Sequence, residues 1–444
     1  AFACGYVYAN LLGNEAGRII YDGGTVIACG GEYIAEGRRF SFRDHLVTAA
    51  TIDLSRTRLH RARQVSHRPL VGEPDELTVR RDFLPEWRGP YTTPASEASE
   101  APDRKEEEFA RAMALGLFDY LRKSYSGGFV VSLSGGADSA AVAVLVKVMA
   151  DLALAELGEE GFREKQGHLR LDGRPLMGQL LSCVYQATRN SSETTRHAAE
   201  AVARAIGADY QKWDVDALVE GYRKMVEKGI GRKLSWETDD IPLQNIQARV
   251  RAPGVWMLTN LRNALLLSTS NRSEAAVGYA TMDGDTSGGL SPIAGIDKAF
   301  LRQWLRWMET EGLPPAAAPI PELRFINAQA PTAELRPSEQ GQTDESDLMP
   351  YPILDAIEKH AIRDKKLPLE VWQLMCETHP GHNREALRAW VVKFFRLWSR
   401  NQWKRERYAP CFHVDDKNLD PKTWCRFPIL SSGFHDELAE LERA

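Results

Sequence analysis

The sequence predicts an α/β protein: a doubly wound parallel sheet with a β-rich segment ahead of it. Three observations favour this class. Between residues 106 and 298, β-prone runs alternate with helical ones, as in parallel sheets covered by helices on both faces. A strand-like run at 129–131 is followed by a glycine loop and then by apolar residues at helical spacing. Residues 1–57 are short β-prone runs separated by turns such as Gly23-Gly24.

Length and composition limit what the chain can be. Its 444 residues, 43% of them hydrophobic, can bury a large core and hold two or more units. A net charge of −5 gives no sign of a protein that binds nucleic acid or a membrane surface. There is no apolar run long enough to cross a bilayer, and the six cysteines form no C-x-x-C pair. We therefore expect a reduced, cytoplasmic protein.

The sequence divides into three parts. Residues 1–57 contain too few strands for a stable sandwich, and the chain opens with Ala1 directly in strand-like sequence, so we expect a missing N-terminal portion. Residues 58–105 are rich in Arg, Pro, Glu and Ser and predict an extended linker. Residues 106–444 carry the alternating pattern and form the main domain.

Within the main domain, periodicity predicts the order of the elements. The expected strands beyond the first are 176–184, 209–215 and 263–269. A charged insert is expected at about 156–174. A long loop is expected at 323–351, and we hypothesise that it acts as a lid over the site. The expected helices are 106–123, 193–206 with Ser191 or Ser192 as its cap, 215–228, 242–262, 351–365, 369–377 and 383–407.

The glycine loop of SLSGGADS predicts an anion site. Glycines allow the backbone to approach a ligand, and the following helix start offers free N–H groups and a positive dipole end. Ser134 and Ser139 add hydroxyl donors, whereas the Asp138 carboxylate would repel phosphate unless a cation lies between them. The loop therefore suggests Mg-pyrophosphate. Taken alone it also fits an ordinary strand-to-helix connection, and it lacks the Gly-Lys-Ser/Thr of a Walker loop.

A second carboxylate follows a second strand. Glu274 lies near the start of the helix after the run 263–269, as Asp138 does after the first strand. Two acids beyond neighbouring strand ends can share one Mg²⁺. Lys298, at the next helix start, can reach phosphate. Each residue alone also fits a charge at a helix end, and Arg249 a solvated helix face.

The motifs and their order resemble a known family. SGGADS resembles the signature of the ATP pyrophosphatases, and the series NSSE, NIQAR, STSNRSE, GYATMDGD, SPIAGIDK and PTAELRP resembles the synthetase domain of glutamine-dependent NAD⁺ synthetases. The resemblance implies an adenine nucleotide alpha-hydrolase-like, Rossmann-like fold. The stretch from Tyr8 to Phe42 resembles the last strands of a nitrilase-like glutaminase domain. The glutamate, lysine and cysteine of that domain cannot be placed in this chain.

The resemblance implies roles for individual residues. Catalysis would depend on Asp138, Glu274 and Lys298, with Asp138 and Glu274 binding Mg²⁺. Met282 and Gly289 depart from relatives that carry a lysine and an acid at these points, which puts those dinucleotide contacts in question. The expected ATP-binding residues are Ser134, Gly135, Gly136, Ala137, Asp138, Ser139, Thr269, Lys298 and Thr332. The expected deamido-NAD-binding residues are Asn245, Arg249, Glu274, Tyr279 and Lys404.

The resemblance also implies a reaction. A carbon–nitrogen ligase would amidate deamido-NAD to NAD⁺ through an adenylate, releasing AMP and pyrophosphate. Glutamine supplies the ammonia in the family, whereas we expect free ammonia for this chain alone. A homodimer or larger homo-oligomer is implied. Two alternatives remain open at this point: another ATP-pyrophosphatase amidoligase that acts on a different acid, and a non-catalytic nucleotide-binding subunit.

Overall fold

The structure, a computed structural model, describes residues 4–15, 17–63, 104–330, 334–336 and 344–444. The chain divides into two compact units, Ala1–Gly13 with Tyr21–Asp103 and Asn14–Ile20 with Arg104–Ala444. No helix in the described part of the chain is long and apolar enough to cross a membrane.

The elements from the start of the chain are β1 (Gly5–Ala9), β2 (Leu12–Glu15), β3 (Ile19–Asp22), β4 (Thr25–Cys29), β5 (Glu32–Glu36) and α1 (Leu54–Arg63). The smaller unit contains a three-stranded antiparallel sheet in the order β1-β4-β5. The turn between β4 and β5 is Gly30-Gly31, and both residues have positive φ, a conformation that glycine adopts without strain. Strands β2 and β3 pair separately.

Helix α1 differs from the prediction, because it begins at Leu54 and continues to Arg63, where the first residues of an extended linker were expected. Its sequence, LSRTRLHRAR, is rich in arginine and leucine, which have high helix propensity. The rest of the predicted linker, 64–103, lies outside the described residues.

The larger unit contains a four-stranded sheet and most of the helices. Its strands are β6 (Phe129–Ser132), β7 (Leu181–Ala187), β8 (Asp209–Asp214) and β9 (Leu265–Leu267). Its α-helices are α2 (Lys105–Ser124), α3 (Ala137–Lys165), α4 (Leu176–Leu180), α5 (Glu193–Ala205), α6 (Asp216–Ile230), α7 (Asp240–Leu261), α8 (Arg272–Val277), α9 (Lys298–Thr310), α10 (Arg324–Asn327), α11 (Asp344–Asp347), α12 (Tyr351–Glu358), α13 (Pro368–Thr378), α14 (Arg384–Arg400), α15 (Gln402–Arg405) and α16 (His435–Arg443). A 3₁₀ turn at Pro321–Leu323 precedes α10, and a π-helical turn at Lys359–Arg363 follows α12.

The sheet is parallel throughout, in the order β8-β7-β6-β9, and helices cover both of its faces. Val130, Val184 and Leu266 form a buried cluster with Val255 of α7 on one face. Because side chains alternate along a strand, Val131 points to the opposite face, where α3 packs against β6 and β7. The prediction of a doubly wound parallel sheet is therefore confirmed.

Three predicted elements have different bounds in the structure. The expected strand 176–184 is helix α4 followed by β7, and Pro175 precedes that helix. The expected insert 156–174 continues helix α3 as far as Lys165, with one non-helical residue at Gly158. The expected strand 263–269 is reduced to the three residues of β9, since Asn263 has a positive φ and cannot continue the strand conformation.

The remaining predicted helices are present, with small shifts of their ends. Ser192 caps α5 by accepting a hydrogen bond from the Thr195 N–H at 3.2 Å, as expected for one of the two candidate serines. The predicted helix 383–407 is interrupted at Asn401. The segment 323–351, expected to be a loop, contains the short helices α10 and α11 in its described part. Its role as a lid stays a prediction.

Candidate functional site

The glycine loop joins the end of β6 to the first turn of α3, at the carboxyl edge of the sheet. Gly135 has φ +85°, and a Cβ added there would lie 2.1 Å from the Thr195 carbonyl oxygen, so no other residue fits. The Ser134 N–H donates to the Ser139 hydroxyl at 3.1 Å, which fixes the curvature of the loop. The unpaired N–H groups that begin α3 therefore face the space above the sheet.

Lys298 joins the two predicted carboxylates. Its Nζ forms an ion pair with Asp138 and a second with the Glu274 Oε1 at 3.1 Å, and only 3% of the side chain is exposed. The pairing follows from topology, because β6 and β9 are adjacent parallel strands and each acid lies in the first helical turn after its strand. The three residues predicted to carry catalysis thus form one cluster.

Burial and mutual charge set the protonation of this cluster. Burial raises the pKa of Glu274 to about 8, although the ammonium of Lys298 opposes the shift. Burial alone would lower the pKa of Lys298, but Asp138 and Glu274 outweigh it and hold that pKa above its usual range. Burial also raises the pKa of Asp344, a third carboxylate near the cluster. The site concentrates negative charge around one buried cation.

Two residues that sequence reasoning missed complete the cluster. Asn271 caps α8 by accepting the Glu274 N–H at 3.0 Å, and its amide Nδ2 donates to the Asp138 Oδ1 at 3.1 Å. The Tyr351 hydroxyl lies 3.3 Å from oxygens of both Glu274 and Asp344. Asn271 was detectable as an N-cap directly before a helix. Tyr351 had no local signal, because it comes from a helix far along the chain.

The donor set fits a divalent cation. Magnesium prefers carboxylate oxygens, and Asp138 and Glu274 offer such oxygens on either side of the Lys298 ammonium. The bridging ammonium indicates that the space between the two carboxylates attracts positive charge. Both carboxylates already contact the same ammonium, so they are close enough to share one bound cation.

A cavity of about 550 Å³ opens from this cluster. Its size suits a nucleotide-sized ligand. Its lining includes Thr269 and most of the loop residues predicted to hold ATP, namely Ser134, Gly136, Ala137, Asp138 and Ser139. Thr332, also predicted to contact ATP, lies outside the described residues.

Of the residues predicted to bind the dinucleotide, four line the cavity, namely Asn245, Glu274, Tyr279 and Lys404. Asn245 and Tyr279 each have a hydrogen-bond partner within the protein. The side-chain carbonyl of Asn245 accepts the Thr281 hydroxyl at 2.9 Å, and the Tyr279 hydroxyl donates to Asp347 at 2.9 Å. Each of these two side chains is therefore held in place by a neighbour before any ligand arrives.

Lys404 and Arg249 have different surroundings from those the sequence suggested. The Lys404 Nζ donates to the carbonyls of Gly278 at 2.6 Å and Ala280 at 2.9 Å, and so supports the loop beside Tyr279. Arg249 is exposed, and its Nε donates to the Met282 carbonyl at 3.0 Å. The cavity lining in the described part of the chain does not include Arg249.

Residues 334–336, within the PTAELRP motif, also line the cavity, a role that the sequence analysis did not assign to them. Glu334 accepts hydrogen bonds from the hydroxyls of Ser192 at 2.7 Å and Thr195 at 2.8 Å. Gln247 of α7 donates to the Leu335 carbonyl at 2.6 Å, and Arg336 pairs with Asp240 at 2.8 Å. This segment therefore lies across the starts of α5 and α7, next to the glycine loop.

Comparison with known proteins gives consistent matches. The family model described as NAD synthase matches residues 109–406. A crystal structure of a glutamine-dependent NAD(+) synthetase from Cytophaga hutchinsonii is 42% identical, with a TM-score of 0.77 over 99% of this chain and 65% of that one. A glutamine-dependent NAD(+) synthetase of Oryza sativa subsp. indica is 31% identical over 93% of this chain and 60% of its own length.

A more distant structure shares the fold. The glutamine-dependent NAD+ synthetase of Acinetobacter baumannii, solved in complex with ADP, is 20% identical with a TM-score of 0.51 and covers 96% of this chain and 62% of that one. The chain thus spans about 60–65% of the length of these three relatives.

Proposed function

This chain belongs to the NAD synthase family, and from that membership we propose that it amidates deamido-NAD to NAD⁺ at the expense of ATP. The observation that carries the proposal is the Lys298 bridge between Asp138 and Glu274, beside a glycine loop and within a nucleotide-sized cavity. The relatives that share the fold are named as synthetases of the same product, and one of them was solved with ADP.

The proposed chemistry needs two steps, because a carboxylate does not react with ammonia at neutral pH. The nicotinate carboxylate first attacks the α-phosphorus of ATP and releases pyrophosphate. Ammonia then attacks the carbonyl carbon of the adenylate, the bond to AMP breaks, and the amine loses a proton as the amide forms. The residues accelerate both steps by positioning and by neutralising charge, and the proposal includes no protein nucleophile.

Each part of the cluster has a role in this proposal. The N–H groups of the glycine loop and the hydroxyls of Ser134 and Ser139 hold phosphate oxygens. Lys298 offsets the negative charge that develops as pyrophosphate leaves. Asp138 and Glu274 would hold Mg²⁺, which supplies further neutralisation of the phosphate oxygens when bound. Thr269 and Thr332 are proposed to contact ATP as well.

The dinucleotide is proposed to occupy the part of the cavity away from the loop. Asn245 and Tyr279 line this part, and Lys404 supports the Gly278–Ala280 backbone next to them. Glu274 would face both substrates, because it lies between the loop and Tyr351. Arg249 remains a proposed contact, although its guanidinium bonds to the Met282 carbonyl.

The test uses the purified 444-residue chain with ATP, Mg²⁺ and deamido-NAD, with either ammonium chloride or glutamine as nitrogen donor. We expect equal amounts of NAD⁺, AMP and pyrophosphate with ammonium, and none with glutamine, because no motif in the sequence matches the three glutaminase residues. Asp138→Asn should abolish AMP formation while the circular dichroism spectrum stays unchanged.

Other results would identify the alternatives. AMP formed with a different acid but not with deamido-NAD would indicate another amidoligase. ATP binding without AMP formation from any acid would indicate a non-catalytic subunit. Undiminished turnover in Asp138→Asn would overturn the assignment of the site.

We further propose that two copies of the chain associate through α6 and α7. Both helices expose large apolar side chains, which single soluble domains seldom leave uncovered. These are Leu218, Tyr222, Met225, Val226 and Ile230 on α6, and Trp256, Met257 and Leu261 on α7. Light scattering after size exclusion should give a particle mass of twice the chain mass of 49.7 kDa. The Met225→Asp variant should have the mass of a single chain.

A further inference from the structure

The inward face of α7 follows helical spacing. The residues of this helix that line the cavity are 241, 244, 245, 248, 251, 252 and 255. Steps of three and four place them on one side of an α-helix. Arg251 belongs to this face, whereas Arg249, about 200° away around the helix axis, does not.

Arg251 has no partner for its charge in the described part of the chain. Its Nε is buried, and no hydrogen bond or ion pair to the guanidinium is found among the described residues. Burial lowers the pKa of Arg251, and Tyr185, Glu334 and Asp285 act on it only electrostatically. A guanidinium nevertheless stays charged and carries five donors. Because Arg251 is half-buried and lines the cavity, its donors can bind a ligand that supplies acceptors.

The other cations of the cavity are already paired. Lys298 pairs with Asp138 and Glu274, and Arg336 pairs with Asp240 and Asp347.

The remaining two contact backbone oxygens. Lys404 donates to two carbonyls, and the Arg302 Nη2 lies 3.5 Å from the Gln329 carbonyl oxygen. Among the cavity-lining cations that the structure describes, Arg251 is therefore the one whose side chain makes no hydrogen bond or ion pair with a described residue.

Hydrogen bonds connect the backbone of Arg251 to the strand that precedes the glycine loop. The Arg251 carbonyl oxygen accepts a hydrogen bond from the Gln186 Nε2 at 2.7 Å, and the Gln186 Oε1 accepts the Ser132 hydroxyl at 2.9 Å. Ser132 ends β6, two residues before Ser134. This chain of hydrogen bonds holds the Arg251 backbone at a fixed place beside the strand that leads into the loop.

We propose that Arg251 binds a phosphate group of a nucleotide substrate through its planar fork of N–H donors. This inference rests on the proposed function and adds a residue to its binding site. Arginine suits the task because its fork matches two phosphate oxygens at once. The phosphate belongs either to ATP or to the pyrophosphate bridge of deamido-NAD, and the experiment distinguishes these two sources.

The experiment compares Arg251→Gln and Arg251→Lys with the wild-type chain and with Arg204→Gln. Arg204 is an exposed arginine at the end of α5 whose ion pair with Glu200 lies on the surface, so its substitution should change nothing. KM is measured separately for ATP and for deamido-NAD, and the melting temperature of each variant is recorded.

We expect Arg251→Gln to raise KM for one of the two nucleotides by about 10- to 100-fold, the range for loss of a charge-assisted hydrogen bond. KM for the other nucleotide should stay within about threefold, and the substrate with the raised KM is the one that Arg251 holds. Arg251→Lys should recover part of the loss, because it retains charge without the fork.

A binding measurement separates this inference from the proposed reaction. Calorimetry with ATP, with deamido-NAD and with inorganic pyrophosphate needs no turnover, and Arg251→Gln should weaken binding of at least one of them tenfold or more. If the wild-type chain makes no NAD⁺ but shows this loss, the reaction is wrong and the role of Arg251 stands.

Unchanged affinities in Arg251→Gln, or a fall in kcat alone, would overturn the role. If Arg251→Gln does not fold, the same criteria apply to Arg251→Lys, with an expected loss of about fivefold and none in Arg204→Gln.

Discussion

Two buried ion clusters share the same two helix starts but have different surroundings. Helix α8 supplies Arg272 to one cluster and Glu274 to the other. The start of α9 supplies Asp297 and Lys298 in the same way. We call Asp138, Glu274 and Lys298 the cavity cluster. We call the following residues the inner cluster: Arg272, Asp297, Asp355, Glu358 and Lys417.

The inner cluster is buried and does not border the cavity. Arg272 pairs with Asp297 at 2.5 Å and with Glu358 at 3.0 Å, and its Nη1 donates to the Gly295 and Lys417 carbonyls at 2.7 Å. Lys417 adds a second ion pair to Asp297 at 2.5 Å. The cavity lining in the described part of the chain includes no member of this cluster.

The cavity cluster has one cation for more than one carboxylate. Lys298 faces Asp138 and Glu274, and Asp344 lies close enough to raise the pKa of Lys298 further, after the effects of burial and of those two acids. The cluster borders the cavity, where a cation or a phosphate can reach it. The comparison teaches that a cluster packed away from the cavity orients the two helix starts, and that a second cluster on the same helices is available for chemistry because it lines the cavity.

The largest expected effect is on stability. Arg272→Met should lower the free energy of unfolding by about 3–5 kcal/mol, because it leaves Glu358 buried without its cation and Asp297 with Lys417 alone. Urea denaturation measures the change. Arg396→Met, which breaks an exposed pair with Glu442, is the matched control and should cost under about 1 kcal/mol. Equal losses in the two variants would contradict the distinction between the clusters.

The corresponding change in the cavity cluster should act on turnover. Lys298→Met should lower the rate of AMP formation by about 10²- to 10³-fold, since it removes the charge that offsets the leaving pyrophosphate. Its stability loss should be smaller than that of Arg272→Met, because the side chains of Asp138 and Glu274 are 18% and 12% exposed, whereas that of Glu358 is fully buried. A large loss of stability with normal turnover would reverse the roles assigned to the clusters.

Ionisation of the cavity cluster should make the activity of the chain depend on pH. Burial raises the pKa of Glu274 to about 8, and only the ionised form can hold a divalent cation. We expect kcat/KM of the chain to rise with pH toward about 8 and then level off. Glu274→Gln should be slow at every pH and lack this rise. A flat profile in the wild-type chain would exclude Glu274 as the titrating group.

Ionisation of the inner cluster should instead make the stability of the fold depend on pH. Burial raises the pKa of Asp355 to about 7, with Asp297 adding to the shift. A carboxyl with a raised folded-state pKa contributes stability that is full below its ordinary pKa near 4 and is lost as pH rises through about 7. The melting temperature of Asp355→Asn should therefore fall less between about pH 5 and pH 8 than that of the wild-type chain. Identical slopes would count against this assignment.

The smallest expected effect concerns the residue that connects the loop to α8. Asn271→Ser keeps an N-cap for α8 but loses the hydrogen bond to Asp138. We expect a fall in kcat/KM of about fivefold, equivalent to about 1 kcal/mol, and a smaller change in unfolding free energy. Asn271→Ala, which removes both interactions, should lose activity and stability together.

The sequence by itself determined the local parts of this protein. Two glycines and a helix start in SLSGGADS specify the anion loop through backbone conformation alone, and the alternation of strand and helix periods specifies the α/β class. The position of Glu274 after its strand was predictable for the same reason. Its motifs also identified the family, because their order along the chain needs no coordinates.

Only the tertiary structure decided which side chains meet. Lys298 reaches Asp138 across 160 positions because β6 and β9 are neighbours in the sheet, and Tyr351 enters the site from a helix with no local signal. Which of the two α7 arginines, Arg249 or Arg251, lines the cavity likewise depended on how the helix packs against the sheet. Burial and pairing are set by residues distant along the chain, so the charges that bind and react become distinguishable from solvated ones only after packing.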